Sequence, residues 1–242
     1  MNRTMLIALV AFVMMAFVGA TTASAAIIKV YDSSGGSPVG QGWSSSGAAG
    51  RVDPGGSGAW DMYENGAGSG IYRINDGNTD MSGIAGGWTL TANVKVNSSN
   101  GDKDAVIGAK DLGFGDKNTS IELYDGYGGF TNGAFVGDTK LGTVDPTDGF
   151  HTYQISAGGT SAAPTYSFYV DGTLELGPVA GSEFVKGWEN EFYVGNLSSG
   201  GEASSLLWAS GSFESGSVIP EPATLVLFGA GMIGLLGHLR RK

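Results

Sequence analysis

Paired carboxylates are the first residues in this chain with chemistry to offer. Glu189 and Glu191 stand two apart, a spacing that puts both side chains on one face of a strand. There, mutual repulsion raises one pKa and can separate an acid from a base. The same pair also reads as the polar end of an edge strand after Trp188. A serine triad needs an imidazole base, and the body holds a single one, His151, since His238 lies in the C-terminal tail. His151 opens a strand after Asp148-Gly149-Phe150, and its expected work is to cap a turn or pack against Tyr153. No Gly-x-Ser-x-Gly elbow occurs. The absence of Cys removes disulfides, thiolate metal sites and cysteine nucleophiles together.

Oxygen ligands are more plentiful: Asp102 and Asp104, Asp111 and Asp116, Asp145 and Asp148. None fits the Asp-x-Asp-x-Asp-Gly loop of an EF-hand, and turn-forming Asp accounts for most of them. No cofactor and no specific metal ligand is assigned, with calcium left open. The glycine phrases Gly83–Gly87 and Gly126–Gly129 lack both the strand–helix setting and the Lys-Ser/Thr of a phosphate cradle. Aromatic rings can stack on sugars where they are exposed. Tyr124-Asp125-Gly126-Tyr127 sets two rings and a carboxylate beside a turn, so Tyr124, Asp125 and Tyr127 are the expected ligand-binding residues.

Strands must position these groups, because no helical periodicity of useful length exists. Trp88-Thr89-Leu90-Thr91-Ala92-Asn93-Val94-Lys95-Val96 alternates apolar and polar residues throughout, the pattern of a half-buried antiparallel strand. Shorter runs read the same way at 27–31, 71–74, 105–110, 120–124, 151–156, 166–170, 191–194 and 206–213. Asp171-Gly172 between 166–170 and 173–176 predicts a tight hairpin. Ser/Gly-rich stretches 32–37, 44–50 and 198–205 read as mobile loops. About ten strands at this spacing imply an all-β sandwich or barrel.

The ends have a different character. Arg3, an apolar run from Met5 to Val18 and Ala23-Ser24-Ala25 describe a signal peptide over 1–25, cut after Ala25 by signal peptidase following Sec export. Residues 26–213 form the expected sandwich and 214–219 a linker. From Ala223 to Leu239 the chain is apolar apart from Thr224, His238 and glycines, and it ends Arg240-Arg241-Lys242. Those 17 residues would reach about 25 Å as a helix, close to a hydrocarbon core. The terminal cations favour a cytoplasmic C-terminus. Setting aside Arg3, Glu221, Arg240, Arg241 and Lys242 leaves 9 Lys+Arg against 22 Asp+Glu over 26–219, a net charge of −13. Such a surface repels nucleic acid and anionic lipid.

Two resemblances follow from these residues. Pro220-Glu221-Pro222, the glycine-bearing apolar stretch and the Arg240-Arg241-Lys242 end resemble the PEP-CTERM sorting signal of Gram-negative bacteria. That implies recognition and removal of the tail over 220–242 by an exosortase-type enzyme. Gly87–Val96, Asp148–Ile155 and Tyr166–Gly172 resemble three strands of concanavalin A-like lectin/glucanase sandwiches, laminin G-like modules included. Asn93 stands where that family usually has Arg. The implied fold is a single two-sheet jelly roll whose concave face or loop ends hold sugar. Glucanase members carry a Glu-x-Asp-x-x-Glu strand, and here Val194 stands where the last Glu would follow Glu189 and Glu191. The resulting expectation is an exported, non-catalytic surface or matrix protein with a lectin-like sandwich that binds exopolysaccharide. A protein-recognising adhesion module and a divergent glycoside hydrolase are the alternatives.

Overall fold

The computed structural model of the protein describes residues 26–46, 49–52, 56–63, 70–75, 87–98, 103–110, 118–124, 133–160, 163–180, 191–196 and 205–215. The early strands are β1 (Ala26–Asp32), β2 (Ser44–Ser46), β3 (Ala49–Val52), β4 (Trp60–Tyr63) and β5 (Gly70–Asn75). The middle of the chain forms β6 (Trp88–Ser98), β7 (Lys103–Lys110), β8 (Asn118–Tyr124), β9 (Gly133–Val136) and β10 (Thr139–Leu141). The last five are β11 (His151–Thr160), β12 (Ala163–Val170), β13 (Thr173–Ala180), β14 (Glu191–Asn196) and β15 (Ser205–Ser215).

Among the described residues these strands make two antiparallel sheets. One runs β13-β12-β11-β6-β15-β4-β3, with β1 also paired to β15, and the other runs β10-β9-β8-β7-β14-β5-β2. No helix among the described residues is long and apolar enough to cross a membrane.

The alternation in β6 does what its pattern requires: Trp88, Leu90, Ala92, Val94 and Val96 are all buried in the core between the sheets. Tyr153, Ile155, Ala157, Tyr166, Phe168 and Val170 join them from β11 and β12, facing Ile107, Ile121, Leu123, Phe192 and Val194 from the other sheet. Edge-to-face aromatic contacts tie the layers, with Trp88 and Phe192 ring centres 5.2 Å apart. β15 shows why its own sequence lacks a single alternation. Trp208 pairs with Val94 and Ser210 with Asn93, so Ala209 is the extra residue of a bulge. The core face therefore shifts from Leu206 and Trp208 to Phe213.

Two stretches expected to be loops carry structure. Ser44–Ser46 is a strand paired with Ser46↔Ile71 through Ser44↔Arg73, and Ala49 opens β3, so 44–50 is largely sheet. Serine and glycine cannot announce a strand by hydrophobic alternation; pairing with a neighbour supplies it. Ser33–Gly35 and Val39–Gln41 are single 3-10 turns. The Gln41 side chain accepts from the Asp32 amide and donates to the Asp32 and Gly36 carbonyls, pinning the segment expected to be mobile. The stretch 198–204 lies outside the described residues.

Candidate functional site

His151 is the organising residue of the candidate site. It opens β11 beside the β12–β13 hairpin, whose turn residues Asp171 and Gly172 both have positive φ (50° and 78°), as a two-residue Asp-Gly turn demands. That turn aims Asp171 back across β11: its Oδ1 accepts from the Thr152 amide at 2.8 Å and its own amide donates to the Thr152 carbonyl at 2.8 Å. Asp171 Oδ2 lies 2.7 Å from His151 Nδ1, while Asp148 Oδ1 lies 2.8 Å from Nε2. Ionised carboxylates only accept hydrogen bonds, so satisfying both contacts requires the doubly protonated imidazolium. Partial burial pulls the His151 pKa down, but the hydrogen bonds and charges of Asp171 and Asp148 more than offset it and leave it raised. Asp171 is correspondingly lowered, the His151 and Thr152 hydrogen bonds outweighing its own burial.

The turn before β11 completes the frame. Asp145 Oδ1 accepts from the Thr147 amide at 2.9 Å and the Thr147 hydroxyl at 2.7 Å, and the Pro146 carbonyl accepts from the Val96 amide at 2.9 Å. Beneath the clamp, the Tyr153 ring packs edge-on to His151 at 6.3 Å. Burial first, then the charges of Asp171, Asp148 and Asp145, push the Tyr153 hydroxyl pKa upward.

Beside the clamp is a cleft of about 290 Å³, where the end of β10 meets the β12–β13 hairpin at the rim shared by the two sheets. Its polar lining comes from His151, Asp171, Thr143, Thr173 and Glu175, with Leu141, Val144 and Val170 supplying the apolar wall. The Glu175 carboxylate lies over Gly142, where a Cβ would come within 2.9 Å of Oε2, so glycine there keeps the carboxylate seated. Gly142 also has φ of +54°, which a β-carbon resists. Chemically, the cleft accepts hydrogen bonds from hydroxyl or amine donors. While both nitrogens of His151 donate to the two carboxylates, the ring has no lone pair for general-base work.

Of the three residues expected to bind ligand, Tyr124 alone is among the described residues, and it does not line this cleft. Tyr124 ends β8 on the outer face of the seven-stranded sheet, buried, with its hydroxyl donating to the buried Glu122 carboxylate at 2.5 Å. Its ring meets Phe135 edge-to-face at 5.3 Å. Asp125 and Tyr127 lie outside the described residues, as does Glu189. Glu191 opens β14 opposite Asn75 and Lys110. Among the described residues no three His, Asp or Glu are grouped to hold a metal. Of the oxygen-bearing Asp pairs the sequence offers, Asp145 and Asp148 are engaged by Thr147 and His151, while Asp102, Asp111 and Asp116 lie outside the described residues. Sequence reading passed over Asp171, Thr143, Thr173 and Glu175 as ligands. The Asp-Gly turn and the i, i+3 spacing of Asp148 and His151 were the available signals.

Comparison with known proteins bears on both ends of this picture. Residues 218–242 match the PEP-CTERM protein-sorting motif. No curated protein matches the chain in sequence. Among solved structures, a carbohydrate esterase from the Shiga toxin-encoding bacteriophage phi24B aligns with TM-score 0.58 at 19% identity, covering 80% of this chain and 100% of its own. The Emp47p carbohydrate recognition domain aligns with TM-score 0.51 at 10% identity, over 82% of this chain and 100% of its own. The apo Crh5 transglycosylase aligns with TM-score 0.50 at 14% identity, over 79% and 86%. At these identities the likeness carries the fold alone, a concanavalin A-like jelly roll of two antiparallel sheets.

Proposed function

We propose that this chain is an exported, exosortase-sorted surface or extracellular-matrix protein whose lectin-like sandwich binds polysaccharide without transforming it. One observation carries the reading: a PEP-CTERM sorting motif closes a chain whose body has the fold of a carbohydrate recognition domain. In this reading the Sec machinery exports the chain, signal peptidase cuts after Ala25, and the tail holds a precursor in the inner membrane. An exosortase-type enzyme then acts at Pro220-Glu221-Pro222, with Arg240, Arg241 and Lys242 marking the cytoplasmic end.

The cleft beside His151 is the accessible position for a sugar. Carboxylate and threonine oxygens there suit the hydroxyl donors of a polysaccharide, and a body charge of −13 disfavours acidic polymers. The proposed ligand class is therefore neutral polysaccharide. The Tyr124-Asp125-Tyr127 stretch is the second proposed position, with contact falling to Asp125 and Tyr127 because Tyr124 is buried.

The test is electrophoresis of the processed, secreted protein through gels holding neutral or acidic polysaccharide, with and without calcium. Retardation by a neutral polymer is expected, weakened about tenfold by Glu175→Gln if one charged hydrogen bond of roughly 1.5 kcal/mol is lost. Tyr127→Ala reports on the second position, and calcium dependence would bring in the Asp pairs. Unchanged mobility throughout would leave the protein-recognising adhesion module in its place. Release of new reducing ends would make it a glycoside hydrolase instead.

A further inference from the structure

The strand register places Ala26 and Ser215 at the pole of the body opposite the cleft. β15 leaves the eight-stranded sheet at Ser215, whose partners are Ala26 on one side and Trp88 on the other. That row continues across the sheet as Trp88↔Ala157, Ala157↔Tyr166 and Tyr166↔Val179. The first residue after the expected signal-peptide cut and the last described residue before the sorting motif are therefore neighbours. His151, by contrast, pairs with Val94, and Val170 with Tyr153 and Thr173, at the other end of the same strands. Six residues of β6 separate the rows of Trp88 and Val94, roughly 20 Å at about 3.3 Å per residue.

The connection to the tail limits how far Ser215 can stand from the bilayer. Residues 216–222 lie between Ser215 and the apolar run that starts at Ala223, so the two can stand at most about 27 Å apart even fully extended. An inverted body, with the cleft against the bilayer, would lift Ser215 by at least the roughly 20 Å between the two rows and hold this link close to its full extension. A second restraint acts before the leader is cut, since Ala26 issues beside Ser215 and would be held in the same bilayer. The β1–β15 pairing is compatible with both ends being membrane-embedded at once.

We infer that the protein recognises its polysaccharide while still anchored, standing on the pole that carries Ala26 and Ser215 with the His151–Glu175 cleft directed away from the membrane. Ligand capture and tail removal then engage opposite poles and do not exclude each other. The orientation rests on the tail acting as a membrane anchor, and the capture step on the polysaccharide reading above.

The chain has no Cys, which makes single-site labelling clean. Thr173, at the cleft, and Ala180, at the opposite end of β13, are both exposed. The full chain carrying Thr173→Cys or Ala180→Cys, each with a fluorophore, is placed in vesicles containing a lipid-borne energy acceptor and lacking any processing enzyme. Transfer from position 180 should exceed that from position 173 several-fold, and vesicles carrying the unlabelled full chain should bind the same neutral polysaccharide as the processed protein. Equal transfer from the two labels, or stronger transfer from 173, would overturn the orientation whatever the ligand. Binding by processed protein but not by vesicles would overturn anchored capture. Binding by neither would overturn the polysaccharide reading, with the labels still deciding the orientation.

Discussion

His151 connects three pieces of chain through one ring: the Asp145–Asp148 turn, the start of β11 and the β12–β13 hairpin. Its folded pKa lies above the unfolded value of about 6.5, so its contribution is complete below that value and disappears as pH rises through the folded pKa. Asp171 behaves oppositely. Its lowered pKa makes its contribution present above an unfolded value of about 3.9 and lost on acidification through the folded pKa. The clamp is thus complete between about pH 4 and 6.5, and the melting temperature should decline as pH is raised beyond that. Asp148 and Asp171 are more than half exposed, so solvent screening limits the gain to about 1 kcal/mol. His151→Gln should lower Tm by about 2–4 °C at about pH 5.5 and flatten the decline above pH 6.5. A variant with an undiminished slope would show that another group titrates. A second residue-scale prediction concerns the buried Glu122–Tyr124 pair. Tyr124→Phe removes a donor from a buried carboxylate and should cost about 1–3 kcal/mol in urea unfolding, whereas an exposed ligand-stacking tyrosine would lose almost nothing.

At the scale of elements, close approach explains several glycines that composition alone leaves as turn residues. Gly108 lies mid-strand in β7, paired with Tyr193 of β14 and Ser120 of β8. A Cβ there would come within 2.5 Å of the Tyr193 ring and hydroxyl and 2.8 Å of the Thr119 carbonyl. Gly108→Ala should therefore destabilise by about 1–3 kcal/mol through overpacking. Measured against Tyr193→Ala alone, Gly108→Ala should cost less than in the natural chain but still something, because the Thr119 backbone remains; no cost in that background would place the whole clash in the ring. Gly211 serves the β15 bulge in the same way, lying under the Trp208 indole whose Nε1 donates to the Ser210 carbonyl at 3.0 Å. Alternation made β6, β11 and β12 legible because each has one face on the core. It could not reveal β2, whose three serines carry no hydrophobic signal. β9 and β10 went unread for another reason: they are short, although Gly137-Asp138 between Val136 and Thr139 is an available hairpin signal.

For the molecule as a whole, the two sheets are held by an aromatic seam that crosses the core. Trp88 packs against Phe192 of the opposite sheet and is almost fully buried, so Trp88→Ala should cost about 3–5 kcal/mol in equilibrium unfolding. A loss below about 1 kcal/mol would mean the seam does not hold the layers. The all-β class, the Asp171-Gly172 hairpin and the sorting tail were all determined by the sequence alone. Each depends on residues adjacent in the chain: alternation over a strand, two positive-φ positions in a turn, a tripeptide before an apolar run. The cleft and its clamp were decided only by tertiary structure. Asp148, His151, Asp171 and Glu175 come from separate turns and strands, and Thr143 from beyond the end of the other sheet. Their meeting depends on strand order and on the register that sets His151 against Val94 and Tyr153 against Val170. The burial of Tyr124 has the same origin. A strand residue near a turn reads identically whichever face it presents, and only the packing around the finished sheet decides whether its ring meets solvent or protein.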